Sequence, residues 1–422
     1  MLGRLASTIE CAATRPHWLR EGLVTMQLST DGRRATGAVA TVAAAAAVLG
    51  LAVPAMAASA PPAARILSGG QVAGRSAVPW RKVGAGWALA KYSASQGGLG
   101  VRPKAGPSTL YLVDPQGGRY KLFTWSAKSP LTISNLVAWS GDVSRALFVA
   151  QAANPGDREY VEQLQLRTGR VTRFTLPARV NAVGYTRPDG LNIVASREAA
   201  NDAVTVQRYS LTGKLQKDLA KVKTLTGSNV AYNSDGTELA MGTANGLDLI
   251  SNAGGVIRKL PVPKTTWGCT AVRWWSTRTI LASCSVGMND PGPRMWLVPA
   301  SGAKPTPLTP VRSGGFDFGD FNAWQLSSGM YVNGYGGCGT LVIGRQPAHG
   351  KEQQVNVPGS ASSLIVNATR SRLMVERING CMPGISLVWF NPATRKMTVA
   401  IPVSGHRQGV IAVIPYFIAG KF

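Results

Sequence analysis

The sequence predicts an all-β fold, a seven-bladed β-propeller of four-stranded antiparallel blades, with six or eight blades as the alternatives. Three observations predict it. Short runs rich in Val, Leu, Ile, Tyr and Trp alternate with Gly, Pro, Asp, Asn and Ser over most of the 422 residues. These runs recur as a four-part unit whose second strands lie roughly 42 to 50 residues apart, the period of a propeller blade. The end of the chain also carries a run that the first unit lacks.

Six units follow one another in order. Each reads as a strand, a turn bearing Asp, Gly or Ser, an apolar strand, a loop, a third strand, a Gly-containing turn and a fourth strand. The first pair of runs is 136–151 with 160–176, followed by 180–198 with 204–219 and by 230–243 with 246–261. Then come 270–285 with 294–309, 322–337 with 340–357, and 362–380 with 386–402. A seventh unit is split. Residues 86–94 (GWALAKYSA) match a second strand and 109–125 (TLYLVDPQGGRYKLFTW) match the third and fourth. Its missing first strand is expected in 409–417 (GVIAVIPYF), so that the C-terminal strand closes the first blade. Closure is favourable because an open array would expose two strand edges.

The part before the repeats divides in three. Arg33 and Arg34, the apolar stretch from Ala35 to Val53, Pro54 and the small-x-small Ala55-Met56-Ala57 form a secretory leader over 26–57, cleaved after Ala57, with Ala60 as the alternative. The stretch is mostly Ala and Gly, weakly apolar for a lasting membrane anchor, and no integral span is expected after cleavage. Residues 1–25 read as an upstream extension ahead of a start at Met26. Residues 58–77, rich in Ala, Pro and Gly, read as a flexible linker, and 78–422 as the propeller. A Sec-type route to an extracytoplasmic or cell-wall location follows; the Arg pair keeps the twin-arginine route open.

Lys and Arg number 45 against 20 Asp and Glu, a net charge of +25. Five arginines and three acids leave with the leader, so the exported part keeps +23. Such a field favours polyanionic partners and says nothing about fold. The basic residues are spread along every unit without a dense stripe, which argues against specific nucleic-acid recognition.

The turns Ser140-Gly-Asp142, Pro188-Asp-Gly190 and Ser234-Asp-Gly236 resemble the SPDG turns of TolB-like, WD-type propeller repeats, and Leu110–Gly118 resembles that family's paired strand and Gly turn. The resemblance covers roughly residues 80–417 and implies the architecture. A translocation role is what the name implies, although the α/β domain that precedes the propeller in TolB has no room between Ala58 and Val78.

Four cysteines follow the leader, and in an exported chain they read as disulfides. Cys269 and Cys284 stand equidistant from the Ser276-Thr277 turn and are expected to face one another across a hairpin. Cys338 and Cys381 occupy equivalent ends of second strands in adjacent units and are expected to bridge them. Free thiols are the alternative; no CxxC spacing supports a metal.

Local catalytic patterns are absent: no GxSxG elbow and no HExxH. His349 and His406 read as solvated loop residues. Asp317 and Asp320, with Asn322, form the one acidic cluster beside a Gly-rich loop, of turn-capping rather than calcium-binding type. Trp267, Trp274, Trp275, Phe321, Trp324 and Tyr331 read as packing between blades. Phe316, Phe318 and Tyr335, in loops, are the better candidates for a ligand, with Asp317 and Asp320 beside them. No cofactor or metal is expected. The function predicted is a monomeric, non-enzymatic binding or scaffold module for a protein or an anionic cell-envelope polymer. A propeller lyase or glycoside hydrolase with a dispersed site, and an accessory of an envelope translocation system, are the alternatives.

Overall fold

A computed structural model describes residues 66–94, 106–129, 134–150, 158–199, 203–223, 230–243, 246–263, 268–285, 292–310, 319–336, 340–347, 352–378, 384–403 and 408–416. The proposed leader, Phe316, Asp317, Phe318, Cys338, Cys381 and both loop histidines lie outside them.

Five separate four-stranded antiparallel sheets are present among these residues. Each is named here by its first residue. The Asn135 sheet holds Asn135–Trp139, Arg145–Ala150, Arg158–Gln165 and Val171–Ala178. The Val180 sheet holds Val180–Tyr185, Asn192–Glu198, Ala203–Ser210 and Leu215–Lys223. In the Val230 sheet the strands are Val230–Tyr232, Glu238–Thr243, Gly246–Ser251 and Val256–Leu260. The Cys269 sheet runs Cys269–Ser276, Thr279–Ser285, Pro293–Pro299 and Thr306–Pro307. Asp320–Leu326, Gly329–Tyr335, Leu341–Gln346 and Gln353–Gln354 make the Asp320 sheet.

The remaining nine strands form one larger sheet. It consists of two four-stranded antiparallel runs that meet at the parallel pair Ile385 with Gly409, and of the strand Val72–Gly74 added at one edge. One run is Ser362–Ala368, Leu373–Ile378, Ile385–Phe390 and Met397–Ile401. The other sets Gly409–Pro415, from the C-terminus, against Ala88–Ser93, followed by Ser108–Val113 and Arg119–Trp125. The strand missing from the start of the repeat is therefore supplied by its end, with Ala88 opposite Pro415 and Ser93 opposite Gly409. The architecture is of the propeller type.

Burial explains why the second strands read as continuous apolar runs. Ala146, Leu147 and Phe148 are each inaccessible, as are Leu239, Ala240 and Met241, and Ile280, Leu281 and Ala282. Both faces of such a strand lie against neighbouring sheets, so no polar alternation is possible. Fully burying one Leu, Val or Phe contributes roughly 1.5–3 kcal/mol. The fourth strands turn outward instead: Val256–Lys259 and Leu215–Asp218 are exposed.

Hydrogen bonds from side chains to the backbone stitch successive sheets together. Tyr416 Oη donates to Gly141 O at 2.7 Å, and Arg208 Nη1 to Asn252 O at 3.0 Å. Trp274 Nε1 donates to Ala231 O at 2.9 Å, and Asn333 Nδ2 to Ile365 O at 2.8 Å. Trp389 Nε1 donates to Asp114 O at 3.0 Å, joining the last run to the first. The Trp274, Asn333 and Trp389 bonds satisfy buried donors that would otherwise each cost about 1–3 kcal/mol.

Residues 66–77, expected as the end of a flexible linker, are built into the fold. Val72–Gly74 pairs in parallel with Arg119–Lys121, and Leu67 N donates to Asp114 Oδ2 at 3.1 Å. Arg75 Nη1 reaches Leu122 O at 3.4 Å, and the guanidinium of Arg167 lies 5.5 Å from the Trp80 ring. Gly-rich composition hid this strap, because backbone pairing needs no apolar pattern.

Cys269 and Cys284 face each other across their hairpin and form a disulfide, Sγ–Sγ 2.08 Å. Trp274, Trp324 and Tyr331 are at most 3% exposed, in keeping with packing roles.

Candidate functional site at the ends of the inner strands

The first strands of the units run toward a turn that their sequences specify. In Ser140–Ser144, Asp142 accepts from Ser140 Oγ at 2.6 Å and Ser144 N at 3.1 Å, while Ser140 Oγ accepts Arg145 N at 2.9 Å. The same scheme recurs with Thr186 and Asp189, and again with Asn233 and Asp235, whose carboxylates take Leu191 N at 3.0 Å and Thr237 N at 2.9 Å. The short polar side chain caps the turn, which is why Asp recurs there. Glycine is required where adjacent turns nest. A Cβ on Gly141 would collide with Pro188 O, and one on Gly236, at φ +75°, with Arg187 O.

Nesting brings these turns around a cavity of about 450 Å³. Its wall is made by the ends of the first strands of the Asn135, Val180, Val230 and Cys269 sheets and by the C-terminal strand. Trp139, Tyr232, Trp274 and Tyr416 give it an aromatic lining, and Arg187 and Arg273 supply its charge. No carboxylate is among the lining residues.

The two guanidiniums are held differently. Arg273 is 7% exposed, donates from Nη1 to Asn322 Oδ1 at 3.1 Å and from Nη2 to Ala323 O, and lies 5.2 Å from the Trp275 ring. Burial pulls its pKa down to about 9, so it stays charged at neutral pH. Arg187 is half-buried, with Nη2 3.4 Å from Trp139 O and its guanidinium 5.9 Å from the Tyr416 ring. Burial lowers its pKa; Tyr416 and Asp142 oppose that through charge. The Tyr416 phenol is raised, first by burial. Two buried polar atoms of the lining residues, Trp139 Nε1 and Tyr232 Oη, find no partner among the described residues. Buried polar atoms are normally paired, so such orphans suit a wet or ligand-bearing cavity.

Of the ligand candidates read from the sequence only Asp320 and Tyr335 are among the described residues, and neither lines the cavity. Asp320 opens its strand, 3% exposed, opposite Gly334, and Tyr335 is half-buried with its ring 4.6 Å from Phe321. Burial raises the Tyr335 phenol. Both belong to the strand ends remote from the turns that line the cavity. Asn322, the oxygen offered beside Asp320 for a cation, is engaged by Arg273 and by Ala323 N at 2.9 Å. Among the described residues no group of three His, Cys, Asp or Glu side chains is placed to hold a metal. No described helix is long and apolar enough to cross a membrane.

No protein-family model matches the chain, and no curated protein matches its sequence. Solved structures do resemble it. A prolyl endopeptidase aligns with a TM-score of 0.50 at 13% identity over 77% of this chain. The chain spans about half of that enzyme's length, 50%. The β-propeller domain of the Trilobed protease from Pyrococcus furiosus aligns at 0.49 and 8% identity, over 75% of this chain and 95% of that domain. TolB from Acinetobacter baumannii aligns at 0.42 and 11% identity, over 76% and 65% respectively. At these identities the likeness concerns the fold alone.

Proposed function

We propose that the protein is an exported, seven-bladed propeller of the TolB-like, WD-type repeat kind that binds and does not catalyse. It serves as a binding or scaffold module for an anionic cell-envelope polymer or a protein partner. Each four-stranded unit, including the two runs of the nine-stranded sheet, counts as one blade on this reading, with the cavity at the axis. The observation that carries the function is the cavity itself: two guanidiniums, no lining carboxylate, and aromatic walls against which an apolar body can rest. Arg187 can offer a planar or tetrahedral anion two parallel hydrogen bonds from its fork, whereas Arg273, with both Nη atoms taken by Asn322 and Ala323, contributes charge alone. The disulfide accords with an oxidising compartment.

The test is retention of the purified protein on cell-wall and membrane fractions at low and high salt, with Arg187→Glu alongside. Retention that persists in salt and is lost in the variant supports specific recognition. Equal retention of both proteins, or loss of both at high salt, points to net charge alone and ends the reading.

A further inference from the structure

We infer that the outer strands of the Val180 and Val230 sheets form a docking strip for a flexible polyol-phosphate polymer. This deepens the proposed function by naming a contact surface and ligand chemistry apart from the axial cavity. The strip is invisible along the chain, where basic residues look evenly spread, and emerges when the fourth strand of one sheet meets the turn that leads into the fourth strand of the next. Lys214, in the turn before the first of them, and Lys217, Lys221 and Lys223 on it are all exposed. Arg258 and Lys259 are exposed on the second.

The first strand is joined to the turn that leads into the second. Gly255 N donates to Leu219 O at 2.6 Å, and Lys217 Nζ donates to Ala253 O across the same seam. Two acids lie nearby and offset only part of the charge of these six cations. Asp218 accepts from Gln207 Nε2 at 2.7 Å, and Asp248 is 8% exposed, opposite Lys259. Neither ion pair found among the described residues falls in the strip. Like charges collected on a solvated edge repel one another, and a chain of phosphates relieves that repulsion while releasing its own counterions.

The apolar residues in the strip select among polyphosphates. Leu215, Val256 and Ile257 are 47%, 41% and 48% exposed, and all are aliphatic. Single-stranded nucleic acid is usually held by bases stacked on aromatic rings, and neither strand of the strip carries one; the nearest, Phe174 against Gly213, is half-buried. A polyol backbone asks only for charge at intervals and a surface to lie along. The strand from Leu215 to Lys223, at about 3.4 Å per residue, gives it a track of roughly 30 Å.

The experiment measures binding of a poly(glycerol phosphate) chain across a salt series, with single-stranded DNA of equal phosphate number in parallel. Lys214→Gln, Lys221→Gln and Lys223→Gln are combined in one variant. None of these side chains makes a bond that folding would miss, and thermal unfolding checks that the fold is kept. A second variant removes three exposed cations elsewhere, Arg170→Gln, Lys304→Gln and Lys396→Gln. The strip variant is expected to weaken polymer binding at least tenfold at low salt and to flatten the log–log salt slope by about 2, whereas the scattered variant changes little. Equal losses in the two variants, binding that ignores salt, or tighter binding of the DNA would each overturn the proposal. Purified polymer replaces envelope fractions here, so failure leaves the axial reading to its own test.

Discussion

Lys91 gives the sharpest test of how the sheets are packed. It sits within the run Trp87–Ser93, has no accessible surface, and bridges to the neighbouring sheet. Its amine donates to the Ser134 carbonyl and to Ser134 Oγ at 3.1 Å, with the rings of Trp125 and Phe148 at 5.4 and 5.9 Å. Glu162 lies close enough to favour the charged form, yet burial dominates and the pKa falls from 10.5 to about 8. Between those values the unfolded chain holds a proton that the folded protein has shed, so stability rises as pH climbs from about 8 toward 10.5. At roughly 1.4 kcal/mol per pH unit the gap is worth about 3 kcal/mol. Lys91→Met keeps the volume and deletes the titration, while Glu162 retains Trp125 Nε1 and Arg173 Nε, each at 2.9 Å. Urea unfolding at pH 7, 8, 9 and 10 should show wild type gaining on the variant by most of that amount across the series. Parallel stability curves, or a wild type that loses ground as pH rises, would refute the assignment of a desolvated amine.

Glu159 titrates in the opposite sense. It is 9% exposed, accepts Ala182 N at 2.7 Å, and is pushed up to about 7 by burial. The folded state then binds the extra proton, and stability falls by up to about 3 kcal/mol between pH 4.5 and 7. Glu159→Gln should remove its share of the fall in a thermal-unfolding series and leave that of Glu376, which burial also pushes up to about 7. Gly236→Ala meets both a left-handed backbone and the Arg187 carbonyl, so a loss of about 2–4 kcal/mol is expected from denaturant melts. Gly255→Ala, at φ +94° with open space around it, should lose only about 1–2 kcal/mol. Replacing Cys269 and Cys284 together by Ala should cost about 3 kcal/mol, the loop-closure value for a cross-link of that span, read as a lowered urea midpoint.

What was legible in the sequence was whatever burial on two sides imposes on side chains. A run such as Ala146–Val149 or Leu239–Met241 has to be apolar throughout, and its spacing reveals the unit even where the turn motif decays to Ser-Thr-Arg. The split unit was legible for the same reason, since Gly409–Pro415 carries an inner-strand pattern. Hairpin symmetry about Ser276-Thr277 gave the Cys269–Cys284 pairing. Interactions made by the backbone left no mark: Val72–Gly74 pairs through its peptide groups, and SGGQVAG shows nothing apolar enough to betray it. The cavity was missed because its members read as something else. Trp139 and Trp274 look like core, Arg187 looks like part of a turn, and only their convergence from four sheets and the C-terminal strand makes a wall. A lysine within an apolar run, as at Lys91, was the one available sign of a buried charge.

Both ends of the described chain are tied into one sheet, and this bears on how the molecule comes into being. A polypeptide delivered N-terminus first presents Ala88–Ser93 hundreds of residues before Gly409–Pro415 arrives to cover it. Throughout that interval the strand keeps an open hydrogen-bonding edge beside apolar surface, the kind of template on which nascent chains stick to one another. Maturation thus hinges on the tail reaching the head before a stranger does, and a holding factor at the exit site, or swift delivery, would protect yield without altering the finished molecule.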